Sequence, residues 1–200
     1  VARTSAPSAR PTTSPHADVV ATELLSQGAA CHVLQVSPTA DYLPIALAAA
    51  ATGQAIVVMP GVVEAGILAR RLRRAGASVA HWPQGWASAA GGSTVVGGRG
   101  AVLAPAPCLS AVVVFDEHDP TLESENSPTW HARDLAIERA RRANVPCLLV
   151  SPCPTIDALV AAGSGDGPSA PVRVARAIER AGWAPLQVVD RRGEDVGRSG

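Results

Sequence analysis

At residues 111–119 the chain reads Ala-Val-Val-Val-Phe-Asp-Glu-His-Asp, five apolar side chains followed by four polar ones. A continuous apolar run rich in β-branched residues is typical of a strand buried on both faces, as in a parallel sheet. Polar residues directly after such a strand lie at the carboxyl edge of the sheet, where open α/β folds bind ligands. In nucleotide-driven motor proteins, acidic residues at this edge hold magnesium and orient the attacking water. The stretch therefore predicts a parallel sheet with a candidate site at its edge.

Strand-like and helix-like segments alternate along the rest of the chain, which predicts a three-layer α/β fold with helices on both faces of a parallel sheet. The predicted strands are His32–Val36, Ala55–Met59, Ser78–His81, Ser93–Val96, Ala111–Phe115, Cys147–Val150 and Pro185–Asp190. The predicted helices are Ala17–Gln27, Pro44–Thr52, Val62–Ala75, Thr129–Ala143, Thr155–Ala162 and Val172–Ala181.

Composition divides the 200 residues into three parts. Residues 1–16 are rich in Ser, Thr, Pro and Ala, and we expect a disordered lead-in there. Residues 17–162 contain the alternating segments and predict one α/β lobe of ordinary domain size. Residues 163–200 begin with Gly, Ser, Asp and Pro, which predicts a flexible linker followed by the start of a truncated second lobe.

The basic residues exclude one type of nucleotide site. All 17 of them are Arg, whereas a phosphate-binding loop of the form G-x-x-x-x-G-K-[ST] requires a Lys. The turn between the first strand and the next helix has Pro38 where an N–H donor is needed and Asp41 where a cation is needed. Because Asp41 would repel a triphosphate, we interpret this turn as an ordinary strand-to-helix connection.

Charge and cysteines restrict the class of protein further. Formal net charge is zero, so any nucleic-acid contact must come from a local patch and not from the whole chain. The four cysteines form no C-x-x-C pair and predict no zinc site, and we interpret them as buried, reduced thiols of a cytoplasmic protein. No apolar run approaches the length of a membrane span, and the first residues lack the apolar core of a signal peptide.

Three motifs follow one another along the chain: the segment 95–119 with its loop Gly98-Arg99-Gly100-Ala101, the helix start His131-Ala132-Arg133-Asp134, and the segment Ser151-Pro152-Cys153-Pro154-Thr155. In order and spacing they resemble the superfamily 2 helicase core of the PriA (primosomal protein N′) family, with the third segment in the place of helicase motif III. The resemblance implies a P-loop-NTPase or RecA-like first helicase lobe over about residues 17 to 160. It also implies DNA, forked or single-stranded, and other primosome proteins as partners.

Departures from that family pattern affect both halves of its ATPase site. The family's Lys-containing phosphate loop is absent, and its acidic motif D-E-E-H-D, aligned on His118 and Asp119, places an Asp on Phe115. Motif III has Pro152 in place of Ala and Cys153 in place of Thr. The chain therefore resembles the ATPase-degenerate PriA-like proteins of actinobacteria. Although the family uses ATP with magnesium and binds zinc, we expect no cofactor and no metal in this chain.

The acidic stretch Asp116, Glu117, His118 and Asp119 has two interpretations. Carboxylates and imidazole suit a divalent ion, but neighbouring residues of an extended segment point to opposite faces and cannot all bind one ion. We therefore prefer a relic of the catalytic motif, retained for local hydrogen bonding. In that case His118 would bond to the loop of motif III.

Four residues are predicted to contact DNA: Arg99, Trp130, His131 and Arg133. In the resemblance, the Gly-rich loop around Arg99 lies near the DNA path, and Arg suits phosphate contact, although a solvated surface Arg is an equal alternative. Trp130 could stack on a base or cover the end of its helix, and we favour burial. The arginines of helix Val62–Ala75 are interpreted as a solvated face in preference to a DNA-binding surface.

Three hypotheses of function follow from these residues. The preferred one is a non-catalytic, DNA-binding PriA-like protein of replication restart and primosome assembly. The second is an active ATP-dependent 3′-to-5′ DNA helicase, which the absent Lys and Phe115 disfavour. The third is a generic α/β interaction domain without a DNA role, which is consistent with the zero net charge.

Overall fold

The computed structural model describes residues 16–163, 167–186 and 188. Its centre is a seven-stranded parallel sheet, as the alternating segments predicted. The strands of this sheet are β1 (Cys31–Gln35), β2 (Gln54–Val58), β3 (Val79–His81), β4 (Thr94–Gly97), β5 (Leu109–Phe115), β8 (Cys147–Ser151) and β9 (Val172–Arg173). Two further strands, β6 (Glu123–Ser124) and β7 (Trp130–His131), pair with each other. The helices are α1 (Ala17–Ser26), α2 (Leu43–Ala51), α3 (Val62–Arg74), α4 (Trp86–Ala90), α5 (Ala132–Ala143), α6 (Ile156–Ala161) and α7 (Arg176–Ala181).

The strand order of the sheet is β3-β4-β2-β5-β8-β1-β9. Strands β2 and β8 are buried along their whole length, and β5 is buried from Ala111 to Phe115. These are the strands with the most continuous apolar sequences, as expected for the middle of a parallel sheet. Strand β8 pairs with both β1 and β5, with Val114 opposite Leu149. The carboxyl ends of β1, β8 and β5 therefore lie side by side.

Helices cover both faces of this sheet and bury a separate apolar cluster on each. Helices α1, α2 and α3 cover one face, which contains Leu34, Val57 and Phe115. Helices α4, α5 and α6 cover the other, which contains Val58, Val114 and Leu149. The three-layer α/β prediction is thus confirmed, and the two faces of β5 serve both clusters because alternate side chains of a strand point in opposite directions.

Several predicted boundaries were wrong. Helix α5 begins at Ala132, not Thr129, because Trp130 and His131 pair with Glu123 and Ser124 as a two-stranded antiparallel sheet. Residues 172–173, predicted as the start of a helix, form β9 and pair with Leu34 and Gln35 at the edge of the main sheet. The short helix α4 was not predicted at all.

Other predictions concern the ends of the chain and the thiols. The predicted lead-in lies almost entirely outside the described residues, as does half of the predicted strand Pro185–Asp190. No helix among the described residues is long and apolar enough to cross a membrane. All four cysteines are free thiols, but only Cys147 is buried; Cys108 and Cys153 are exposed, so their predicted burial was wrong.

Candidate functional site

The candidate site lies at the carboxyl edge of the sheet, where β5 ends in a tight turn. Asp116 has a φ of 47°, the left-handed region that few residues other than glycine adopt. This conformation reverses the chain, and Asp119 donates its backbone N–H to the Asp116 carbonyl over 2.8 Å. The side chains of residues 116–119 consequently each bond to different partners. Among the described residues, no group of three or more His, Cys, Asp or Glu is arranged to hold a metal ion.

Tyr42 fills the space beside Asp116, in the turn before α2. Its ring stacks on Phe115 with 4.4 Å between centroids and 15° between planes. Its hydroxyl donates a hydrogen bond of 2.6 Å to Asp116 Oδ1. Burial raises the pKa of Tyr42 far above its usual value, and the bond to Asp116 acts in the same direction. Burial also raises the pKa of Asp116, although the Tyr42 hydroxyl opposes that effect. The stacked rings of Tyr42 and Phe115 thus connect the turn after β1 with the end of β5.

The turn after β1 is held by contacts with α3 and with the residue that follows α7. Asp41 forms a bidentate ion pair with Arg71 of α3, at 2.7 and 2.6 Å, and accepts a bond from the Leu43 N–H. The Arg71 bond is the main reason that the pKa of Asp41 is lowered. Gly182, just after α7, lies so close that a Cβ there would approach Ser37 Oγ within 2.2 Å. The Gly182 carbonyl accepts a hydrogen bond from Thr39 Oγ1 at 3.1 Å.

Glu117 is fully buried and joins the end of β5 to the loop after β8. It accepts from the Thr155 N–H at 2.7 Å and from the Thr155 hydroxyl at 2.8 Å. Arg133 Nη1 lies 3.3 Å from Glu117 Oε2, the oxygen that also accepts from the Thr155 hydroxyl, and the Arg133 side chain is only 8% exposed. Arg133 also contacts the exposed carboxylates of Asp134 and Asp157. The result is a buried ion pair whose remaining polar atoms are hydrogen-bonded.

His118 makes the second link to the same loop. Its Nδ1 lies 2.8 Å from Ser151 Oγ at the end of β8, and that oxygen also accepts from the Cys153 N–H at 3.0 Å. The predicted bond between His118 and the loop in the position of motif III is therefore present. Asp119 instead accepts from the N–H and hydroxyl of Thr121, at 2.8 and 2.6 Å, and these bonds lower its pKa.

Arg99 lies in the wall of a cleft of about 440 Å³ next to the turn after β5. Arg99 is exposed, and its Nη1 donates to the Thr121 carbonyl at 3.1 Å. Glu123, Glu125 and Asn126 line the opposite part of the cleft. The cleft therefore combines one guanidinium group with two carboxylates, and the Arg99 contact orders the side chain near the site.

The other three residues predicted to bind DNA are less exposed than Arg99. Trp130 is partly buried against the apolar cluster beneath α5, as favoured from the sequence. His131 is the N-cap of α5 and accepts from the Arg133 N–H at 3.1 Å through Nδ1. Burial lowers the pKa of His131, and the nearby Arg133 adds to this effect. Arg133 lies inward, so Arg99 is the only exposed cation among the four residues predicted to contact DNA.

Of the arginines near the end of α3, two have specific partners. Arg71 holds Asp41, and Arg73 donates to the Val79 carbonyl through two nitrogens at 3.1 Å. Arg70 and Arg74 are exposed, as the interpretation of a solvated face requires.

Sequence reasoning missed Tyr42, Arg71 and Thr155 as members of the site. A weak signal existed for Tyr42: it is the one Tyr in the chain and follows the first strand where the phosphate loop would lie. Thr155 had a signal too, since it ends the segment in the position of motif III. Arg71 had none, because its partner Asp41 is 30 residues away.

Comparison with known proteins finds similarity to a small part of replication restart proteins. No protein-family model matches it. The replication restart protein PriA of Bacillus subtilis is 35% identical over 71 residues, which are 36% of this chain and 9% of that protein. PriA of Treponema pallidum is 36% identical over 98 residues, 48% of this chain and 14% of the relative. PriA of Synechocystis is 28% identical over 103 residues, 50% of this chain and 12% of the relative.

The chain thus spans only about a tenth of the length of these relatives. The similarity is distant and partial, and it supports a relation to PriA replication restart proteins. Together with the seven-stranded parallel sheet, it is consistent with the RecA-like helicase lobe that the resemblance implied.

Proposed function

We propose that the chain is a non-catalytic, DNA-binding PriA-like protein of replication restart, of the ATPase-degenerate type found in actinobacteria. It would act in the cytoplasm, on forked or single-stranded DNA and with other primosome proteins, by binding and not by unwinding. Partial similarity to PriA proteins supports the replication-restart context. The stack of Tyr42 on Phe115 is the observation that supports the absence of catalysis.

Phosphoryl transfer needs a cationic cradle for the phosphates and a carboxylate that holds magnesium. Here the aromatic pair occupies the position that the resemblance assigns to these groups, and the Asp116 carboxylate is bonded to Tyr42. Arg71, whose guanidinium lies at the turn after β1, is paired with Asp41. Removing one electrostatic stabiliser typically costs on the order of 10² to 10³ in rate, and this site lacks at least two.

We expect the purified chain to release no phosphate from ATP above a protein-free blank, with magnesium and single-stranded DNA present. A coupled phosphate assay measures this, with an active superfamily 2 helicase as positive control. Hydrolysis that stays with the chain through a further purification step would overturn the non-catalytic proposal and favour the active helicase. Loss of that hydrolysis in Asp116→Asn would assign it to this site.

Arg99 is the cation that we expect to contribute most to DNA binding, together with Trp130 and His131, which form β7. Few phosphate contacts imply a Kd near the non-specific range of about 10⁻⁴ to 10⁻⁶ M and a shallow salt dependence. Fluorescence anisotropy with a forked oligonucleotide measures both. We expect Arg99→Ala to weaken binding and to reduce the salt slope by about one.

Arg74→Ala is the matched control, because it removes the same charge from an exposed site on α3. Arg133 is only 7% exposed, so we expect Arg133→Ala to weaken binding through lost folding, which a parallel thermal melt detects. Equal binding by wild type, Arg99→Ala and Arg74→Ala would remove Arg99 from the interface. No binding by wild type at low salt would favour the generic interaction domain.

A further inference from the structure

Two cysteines lie side by side at the amino-terminal edge of the sheet, opposite the candidate site. Cys31 begins β1, Cys147 begins β8, and the two are direct partners in the parallel register. The Cys147 N–H donates to the Ala30 carbonyl at 2.9 Å, which holds the strands together next to the pair. Neighbouring strands are about 4.8 Å apart, and disulfides join residues with Cα atoms about 4.4–6.8 Å apart. The backbone spacing therefore suits a disulfide between them.

The two thiols differ in access. Cys147 is 1% exposed, whereas Cys31 is partly exposed. A hydrogen bond from the Cys147 thiol lowers the pKa of Cys31, although burial and the distant Glu117 charge oppose this. The same bond raises the pKa of Cys147 well above its usual value, and burial adds to the effect. Cys31 thus has both the access and the thiolate character of an attacking sulfur.

A small cavity of about 200 Å³ adjoins both sulfurs. Apolar side chains, among them Ile137 and Val145, form most of its wall. Arg141, 70% exposed and paired with Glu138, also lies in the wall. This volume is below the usual range of roughly 300–1,000 Å³ for ligand pockets. The cavity therefore has room for only one end of a small thiol compound.

We propose that Cys31 and Cys147 form a redox-active dithiol that reacts with low-molecular-weight disulfides and closes into an internal disulfide. The pairing across β1 and β8, the difference in burial and the adjoining cavity are the observations behind it. This inference is independent of the proposed function, because the pair lies at the other edge of the sheet.

The reaction has two exchange steps. The Cys31 thiolate attacks one sulfur of the small disulfide; its S–S bond breaks, and the first small thiolate leaves and takes a proton from water. The Cys147 thiol then loses its proton to water, and its thiolate attacks Cys31 Sγ. The mixed disulfide breaks, and the second small thiolate leaves and is protonated. One small disulfide is reduced to two thiols while two cysteine thiols are oxidised.

The test equilibrates the reduced chain with graded ratios of oxidised to reduced glutathione, then blocks free thiols and maps the peptides by mass spectrometry. We expect a peptide pair joined through Cys31 and Cys147, which dithiothreitol separates. The exposed Cys108 and Cys153 are internal controls and should form only mixed disulfides with glutathione.

Two variants separate the roles of the two sulfurs. Cys147→Ser should accumulate a mixed disulfide of glutathione at Cys31, and Cys31→Ser should leave Cys147 reduced. Cys108→Ser is the matched control and should keep the internal disulfide. Circular dichroism confirms that each variant is folded. The proposal is overturned if wild-type Cys31 stays reduced, or remains as a mixed disulfide, at ratios that fully modify Cys108.

Discussion

Replacing Glu117 with Gln is expected to lower the free energy of unfolding by about 1–3 kcal/mol, because it removes the fully buried carboxylate partner of Arg133, which keeps only the exposed carboxylates of Asp134 and Asp157. The substitution also gives the Thr155 N–H and hydroxyl a weaker acceptor than a carboxylate. Urea denaturation measures the change as a shift of the midpoint at constant slope.

Glu138→Gln is the control for this experiment. Glu138 also pairs with two arginines, Arg141 and Arg142, and their bonds lower its pKa to about 2. All three side chains are well exposed, so water and salt screen the interaction and we expect little change in stability. If Glu117→Gln is as mild as Glu138→Gln, the buried pair does not stabilise the fold.

A double-mutant cycle assigns the effect to the pair itself. Arg133→Met alone should also destabilise, because it leaves Glu117 buried and without its cation. The double variant, with both charges removed, should lose less stability than the sum of the two single losses. Additive losses would mean that the two side chains act on stability independently.

The acidic stretch after β5 thus has a structural use in this chain. Glu117 and His118 attach the end of β5 to the loop after β8, through Thr155 and Ser151. These contacts are consistent with the interpretation of a relic retained for hydrogen bonding. They also explain physically how the motif can remain while Phe115 occupies the position of the family's first Asp.

The sequence predicted the central strands of the sheet, because burial on both faces requires a run of apolar residues. Strands β2, β5 and β8 are buried from both sides, so their sequences are continuous apolar runs. The pairs β6–β7 and β1–β9 were missed because strands of two residues have no periodicity, and their positions depend on distant partners.

The sequence predicted where the candidate site lies in the fold, but not which side chains contact one another there. The edge of the sheet follows from the polar residues after β5, and the absence of a phosphate loop follows from the absence of Lys. The burial of Arg133 does not follow, because it depends on Glu117, 16 residues earlier, and on Thr155, 22 residues later. An Arg side chain near the start of a helix is usually exposed to solvent. Arg133 is enclosed because the loops that carry Glu117 and Thr155 fold over it.

Replacing Phe115 with Asp is the second change for which we expect a large effect. The ring is fully buried and stacks on Tyr42. Truncating a buried Phe to a small residue costs about 3–5 kcal/mol, and a carboxylate at this position would add a buried charge next to Asp116. We therefore expect Phe115→Asp to destabilise the chain by at least about 3–5 kcal/mol. Although it restores the family's acidic residue, it should not restore ATP hydrolysis, because Tyr42 and the loop after β1 still offer no phosphate cradle.

Phe115→Leu is the matched control, since it keeps an apolar side chain and loses mainly the stacking, worth about 0.5–1.5 kcal/mol. Urea denaturation compares the two variants, and phosphate release is then measured at a temperature where the Phe115→Asp chain is folded. Equal stability of the Asp and Leu variants would mean that water reaches this position and that the aromatic pair does not close the site. Magnesium-dependent phosphate release by the folded Asp variant would show that the chain still binds ATP productively without a Lys. That result would make the Phe115 side chain the sole block to catalysis and would overturn the interpretation that both halves of the ATPase site are lost.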